Sequence, residues 1–277
     1  MKVAAITMVY RDYWALSQWY RHFGAMVGYH HLYIVAHGHD PEIARLCPDA
    51  SIITVPRDDM AHFDRRRARM LNAFQAALIE TYDWIIRTDA DELICFDPRL
   101  YTGVEDFLVG QSGPALFALG LNVVDTNTGS YAVFSGHYSK AWAVNDTTQL
   151  VQHGVRIRPN KVERFRFQMP RGVYLVHLKF ANHIALAASN AHRLDVASLD
   201  APGLPGKAWK RADEAAEETV AKVDTMDEVS WEVARDAAYG KLHRTAAREE
   251  KTGVIHARFL RFQQKCQFPD WIFRSDQ

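Results

Sequence analysis

Only three cysteines occur in the 277 residues, Cys47, Cys95 and Cys266, and their spacing is too wide for a CxxC motif or a local zinc-ligand pair. A disulfide framework is therefore not expected, and a reducing compartment is. Neither charge is in excess. Lys+Arg and Asp+Glu each number 33, so the formal net charge of +0 provides neither the basic footprint of a nucleic-acid binder nor an acidic tail. No apolar stretch approaches the roughly 20 residues needed to span a bilayer. The short apolar run from Val3 to Val9 is followed by no small-residue cleavage signal and reads as a first strand, so the expectation is a cytoplasmic protein, at most peripheral at the inner face of a membrane.

What is present is a folding composition, 48% hydrophobic and 24% charged, enough for one substantial core or a main domain with a helical extension. Residues 2 to 9 are nearly continuously apolar, as in a parallel strand covered on both faces. Asp12 can cap a helix that carries Trp14, Leu16, Trp19, Tyr20, Phe23 and Val27 and stops at Gly28. Strands are predicted at 31 to 36, 51 to 55, 82 to 88, 115 to 121 and 172 to 177, with a long helix over 64 to 80 and a short one over 104 to 109. Short β-like pieces at 131 to 134 and 155 to 157 lie among polar loops. The fold class is α/β: an open, mostly parallel sheet flanked by helices over residues 1 to 185, with a helical C-terminal extension over 186 to 277. The aromatic-rich end from Val254 to Phe273 could dock on its own domain, pair with a second subunit or touch a membrane.

Chemistry concentrates after the fourth predicted strand, at Asp89-Ala90-Asp91-Glu92. A strand-like backbone would turn Asp89 and Asp91 to one side, and carboxylates so crowded call for a cation. Magnesium or manganese suits carboxylate and diphosphate oxygens. Glu92 could orient a metal-bound water or organise the loop. Arg65, Arg69 and Asn72 share a face of the preceding helix, where cations suit a phosphate partner, although a cationic run is also an ordinary solvated face.

The segment from Tyr82 to Ile94, together with Ile6-Thr7-Met8-Val9-Tyr10, the helix after it and the strand His31 to Ala36, resembles the nucleotide-sugar glycosyltransferases of the GT-A fold, especially the family 2-like group. The resemblance covers most of residues 1 to 185. It implies a donor site in which Thr7, Met8 and Tyr10 form the nucleotide-binding edge, and Asp40, within His37-Gly38-His39-Asp40, holds the nucleoside from a shifted position. Asp89 would approach the ribose or the metal waters. Asp91 would ligate Mn2+ or Mg2+ on the donor diphosphate, and the late His177 would complete the metal site. Lys179 would offer a point charge to phosphate.

The implied reaction is inverting transfer of a sugar from a nucleoside-diphosphate donor to an acceptor hydroxyl, as in surface polysaccharide or glycoconjugate synthesis. The acceptor is a glycan or another hydroxyl-bearing molecule. Asp125 is the leading candidate for the base, with Asp146 and Glu163 as competitors, each of which could instead cap a turn. Asn122, Asn127, His137, Trp142 and His153 are candidates for an acceptor cleft, Trp142 being more at home in a core. Two other classes stay open: a metal-dependent nucleotidyltransferase or phosphotransferase, and a noncatalytic carbohydrate-binding or assembly protein.

Overall fold

The computed structural model describes residues 1–150, 156–158, 169–205, 207–245, 247–248, 255–256 and 262–273. Its first half alternates strand and helix: β1 Val3–Val9, α1 Tyr13–Val27, β2 Leu32–His37, α2 Pro41–Leu46, β3 Ser51–Val55, α3 Phe63–Leu78 and β4 Trp84–Arg87. β1, β2, β3 and β4 pair in parallel in the order β3-β2-β1-β4. Continuous burial of all seven β1 residues explains why that strand reads as an unbroken apolar run: helices cover both faces.

After β4 the chain reverses into β5 Glu92–Phe96, passes α4 Val104–Val109, and returns through β6 Ala115–Thr126, β7 Gly129–Phe134 and β8 Lys140–Val144. The short β9 Gln149–Leu150 and β10 Arg156–Arg158 precede β11 Val173–Phe180, which pairs parallel to β6 and antiparallel to β5. The complete sheet has nine strands, in the order β3-β2-β1-β4-β8-β6-β11-β5 with β7 on β6. It is thus the expected open α/β sheet, with antiparallel strands inserted in its second half. Helices α5 His183–Ala197, α6 Lys207–Lys210, α7 Ala212–Asp224 and α8 Trp231–Thr245 follow. Trp231, Ala238, Tyr239 and Leu242 of α8 belong to the same buried cluster as Trp19, Phe23, Phe117 and Trp142. Phe262 and Ile272 near the C-terminus are buried in it as well, while Trp271 and Phe273 pack half-buried against it. Among the described residues no helix is long and apolar enough to cross a membrane.

The sequence reading missed two strands of the nine-stranded sheet, β5 and β8. β5 begins directly at Glu92, so residues 89 to 91 form a tight turn and not a strand extension. β8 was not anticipated because a lysine opens it; all five of its residues are nonetheless buried. One close approach fixes how β8 is reached. A Cβ on Gly120 of β6 would lie 2.2 Å from the Tyr138 carbonyl carbon, and Gly120 N–H donates to Ser139 Oγ at 2.9 Å while Ser135 N–H donates to Gly120 O at 2.8 Å. The neighbour is backbone and cannot swing aside. Gly120→Ala should therefore lower stability by about 1–3 kcal/mol. Urea unfolding monitored by tryptophan fluorescence measures this, with a lowered midpoint expected.

Candidate functional site

The turn at 89 to 91 parts the two aspartates. Asp89 Oδ1 accepts from Arg67 Nη2 of α3 at 2.5 Å, and Asp89 Oδ2 lies 3.5 Å from Lys140 Nζ at the start of β8. Asp91 has a different partner, its Oδ2 lying 3.2 Å from His177 Nε2 on β11. Leu178 N–H donates to Asp91 O at 2.7 Å and ties the turn to that strand. The strand-like backbone expected at Asp89 and Asp91 is thus corrected, although both carboxylates line one cavity. A turn replaces the strand geometry, and the carboxylates go to separate partners. Among the described residues no group of three or more His, Cys, Asp or Glu side chains gathers as a metal cage.

Glu92 completes the arrangement from below. It is fully buried, accepts from Asp89 N–H through Oε2 at 2.9 Å, and meets Lys140 Nζ through Oε1 at 2.8 Å. Burial pushes its pKa up, against the pull of Lys140. Burial alone would lower Lys140, which is 4% exposed, but Asp89 and Glu92 outweigh it and hold the ammonium charged. Asp91 falls to about 2: burial opposes ionisation, but contact with His177 and the field of Arg193 prevail. Burial also lowers His177, against the pull of Asp91.

Asp89 and Asp91 open into a cavity of about 450 Å³ at the carboxyl ends of β1 and β4, the usual ligand position in an open α/β sheet. Four cations reach it: Arg57, Arg67, Lys179 and Arg193. Burial and the neighbouring Arg193 lower Lys179 to about 8. Tyr10 lies under the Arg57 guanidinium, 3.5 Å from its ring centre, and edge-on to His192 of α5. Beside Asp91, burial pushes Asp12 up to about 6. A second cavity of about 580 Å³ shares Met8, Phe63 and Arg67 with the first. His37 stacks on Phe63 there, ring centres 5.6 Å apart, and Phe63 meets Trp209 of α6 edge-on at 6.0 Å. The C-terminal helices therefore supply a wall of the site.

The remaining expected residues are scattered. Met8 and Tyr10 line the first cavity, whereas Thr7 is wholly enclosed in β1. Asp40 is the N-cap of α2, accepting from Glu42 N–H at 3.1 Å and from Tyr13 Oη–H at 2.8 Å. Arg65 is exposed, and Arg69 lines only the second cavity. Asn72 bonds Arg87 and both backbone groups of Leu150, a structural tie. Asp125 pairs with Ser130 in the β6–β7 hairpin and Asp146 caps Thr148 N–H at 2.7 Å; neither lines the cavities. Glu163 and His153 lie outside the described residues. His137 lines the first cavity, Asn127 is exposed in the hairpin turn, and Trp142 is fully buried in the core. Sequence reasoning missed Arg57, Arg67, Lys140 and Arg193. A signal for Arg67 existed: it stands one and two turns before Leu71 and Gln75, the buried face of α3.

His37 gives the site a measurable pH response. Burial first, then Arg57, Arg67 and Arg66, lower it from 6.5 to about 4, and Arg57 Nη1 donates to its Nδ1 at 2.8 Å. Between those values the unfolded chain binds a proton that the folded chain refuses. The stability held by the neutral ring is complete above pH 6.5 and is lost as pH falls toward 4. Urea midpoints across this range should fall more steeply for the wild type than for His37→Gln; parallel curves would contradict the assignment.

No family model matches the chain, and no curated protein is similar to it. Among solved structures, that of CMP:2-keto-3-deoxy-manno-octonic acid synthetase complexed with CTP is similar at 12% identity over 79% of this chain and 84% of that chain, with a TM-score of 0.30, a likeness too slight to bear on function.

Proposed function

We propose that the chain is a nucleotide-dependent transferase that moves a sugar from a nucleoside-diphosphate donor to an acceptor hydroxyl. The observation that carries this reading is the cavity at the carboxyl ends of β1 and β4, where the Asp91–His177 pair faces Lys179, Arg193 and Arg57. An anionic diphosphate suits that charge arrangement. The flat surfaces of Tyr10 with Arg57, and of His37 with Phe63, suit the nucleoside.

A divalent ion fits the donor set in part. A carboxylate and an imidazole nitrogen free of its proton are both competent ligands, as Asp91 and His177 would be, and magnesium or manganese commonly takes one or two protein groups, with substrate phosphate oxygens and waters filling the rest. Such an ion, when bound, would offset the charge developing on the departing diphosphate. Asp89, held between Arg67 and Lys140, acts as an oriented acceptor for a sugar hydroxyl and not as a ligand. Lys179 and Arg193 bind the diphosphate oxygens and stabilise them as they leave. Asp12 and Asp64 line the cavity and make no ion pair among the described residues, so the acceptor's proton passes to one of them.

Asp91→Asn should retain the fold and lose transfer by two or more orders of magnitude. Of Asp12→Asn and Asp64→Asn, the one that removes the base should lower kcat by about 10²–10⁴ with a smaller change in donor KM. Full activity of both would remove the base assignment. A thermal-shift screen with Mn2+ against nucleoside-diphosphate sugars and nucleoside triphosphates, followed by mass spectrometry of the products, tests the reaction class. A glycosylated acceptor with free nucleoside diphosphate is expected. Pyrophosphate release from a triphosphate would instead establish nucleotidyl transfer, which uses the same carboxylate and cation chemistry.

A further inference from the structure

The His177 imidazole is held on three sides. In the parallel pairing of β11 with β6, His177 stands opposite Asn122, and Asn122 Oδ1 lies 2.7 Å from His177 Nδ1. On the other edge, Nε2 lies 3.2 Å from Asp91 Oδ2. The Tyr138 ring stacks on the imidazole face, centres 3.7 Å apart and planes 20° from parallel. Tyr138 is itself set by the backbone packed against Gly120, two residues before Asn122. The ring can therefore neither tilt nor flip without disturbing β6.

Proton placement follows from the donor inventory. An amide oxygen only accepts, so the hydrogen in the Asn122 contact resides on Nδ1. In the neutral ring protonated there the lone pair is on Nε2 and faces Asp91 Oδ2, which has only lone pairs to offer; in the imidazolium Nε2–H donates to that carboxylate instead. Two acceptors 3.2 Å apart form a position for a positive centre. With the proton on Nε2 instead, Asp91 would accept it and the position would be closed.

We infer that Asn122 is a positioning residue that fixes His177 as its Nδ1–H tautomer and so keeps Nε2 and Asp91 jointly open to a divalent cation. The cation half of this statement rests on the reading of Asp91 and His177 given above; the tautomer half stands on hydrogen-bond geometry alone. Asn122 touches neither metal nor substrate. It acts through the ring, as the partners behind metal-bound histidines generally do, where their loss weakens metal binding about 10–100-fold.

The test reads the ring nitrogens directly in the full chain. Protein labelled with 15N in its histidine rings is stripped of metal, held at mildly alkaline pH and compared with His177→Gln to identify one ring among 13 histidines. Wild type should show Nδ1 protonated. Asn122→Asp keeps an acceptor in place and should keep that proton on Nδ1. Asn122→Leu should move it to Nε2 and weaken Mn2+ binding, measured by calorimetry, about 10–100-fold. Should Asn122→Leu fail to fold, Asp91→Asn serves as the second variant: the Nδ1 proton should persist there, because Asn122 and not Asp91 sets it. A wild-type ring protonated on Nε2, or an Asn122→Leu protein with unchanged tautomer and unchanged Mn2+ affinity, would overturn the inference. The expected tautomers with no Mn2+ binding by wild type would overturn the metal reading of the site and leave the tautomer assignment standing.

Discussion

Taking a carboxylate out of water costs several kcal/mol unless a partner compensates, and residues 89 to 92 bring three carboxylates into one turn. Much of the local architecture answers that cost. Lys140, at the buried start of β8, sits between Glu92 and Asp89; Arg67 reaches Asp89 from α3; Glu92 spends its other oxygen on the Asp89 backbone amide. Two elements distant in sequence, α3 and β8, are thereby bound to one turn. The antiparallel insertion of β8 between β4 and β6 has a chemical role as well as a topological one, since it delivers the lysine without which Glu92 would be an uncompensated buried charge. Asp91 is left outside this neutralised group and faces the His177 imidazole.

Much of the fold was legible because its signal is periodic. An apolar run of seven in β1, the helical stripe of α1 ending at Gly28 and the strand at 51 to 55 correspond to the observed elements within a residue or two. β5 was hidden because its first residue belongs to the acidic motif, so Glu92 was weighed as loop chemistry although Leu93, Ile94 and Cys95 behind it are a buried strand. β8 was hidden for the opposite reason: a lysine reads as surface until its partners are known. Asp91 and His177, singled out in the sequence, are brought within 3.2 Å of each other, although His177 stands inside β11 and not at the end of a strand as expected. The site was illegible in its counter-charges, because which arginine of a cationic run turns inward depends on helix phase and on a turn geometry that a short motif does not encode.

The C-terminal region illustrates a second limit. Its composition suggested an appendage, yet Tyr10 meets His192, Phe63 meets Trp209, and Arg193 projects into the cavity that holds Asp91. His62, in the left-handed region at φ 53°, donates its N–H to Pro202 O at 2.8 Å, so the Pro- and Gly-containing stretch before α6 is tied to the start of α3. Helical periodicity identifies such helices but carries no record of which face meets a distant strand end.

These features assign opposite tasks to the two aspartates of a single motif. Asp89 is saturated by cations and fixed, a property suited to orienting a neutral hydroxyl group. Asp91 is paired with an imidazole whose opposite edge is already engaged by Asn122, a property suited to sharing a further positive centre. Both carboxylates line one cavity and repel each other there; Arg67 and Lys140, placed around Asp89, offset that repulsion. The same division explains why Glu92 is buried although it completes the acidic run. It is needed beneath the turn, where it holds the Asp89 amide and balances Lys140, and the charge that reaches the cavity is then set by Asp91 against Arg57, Lys179 and Arg193. A site with that balance favours an anion of more than one negative charge, with or without a bound cation.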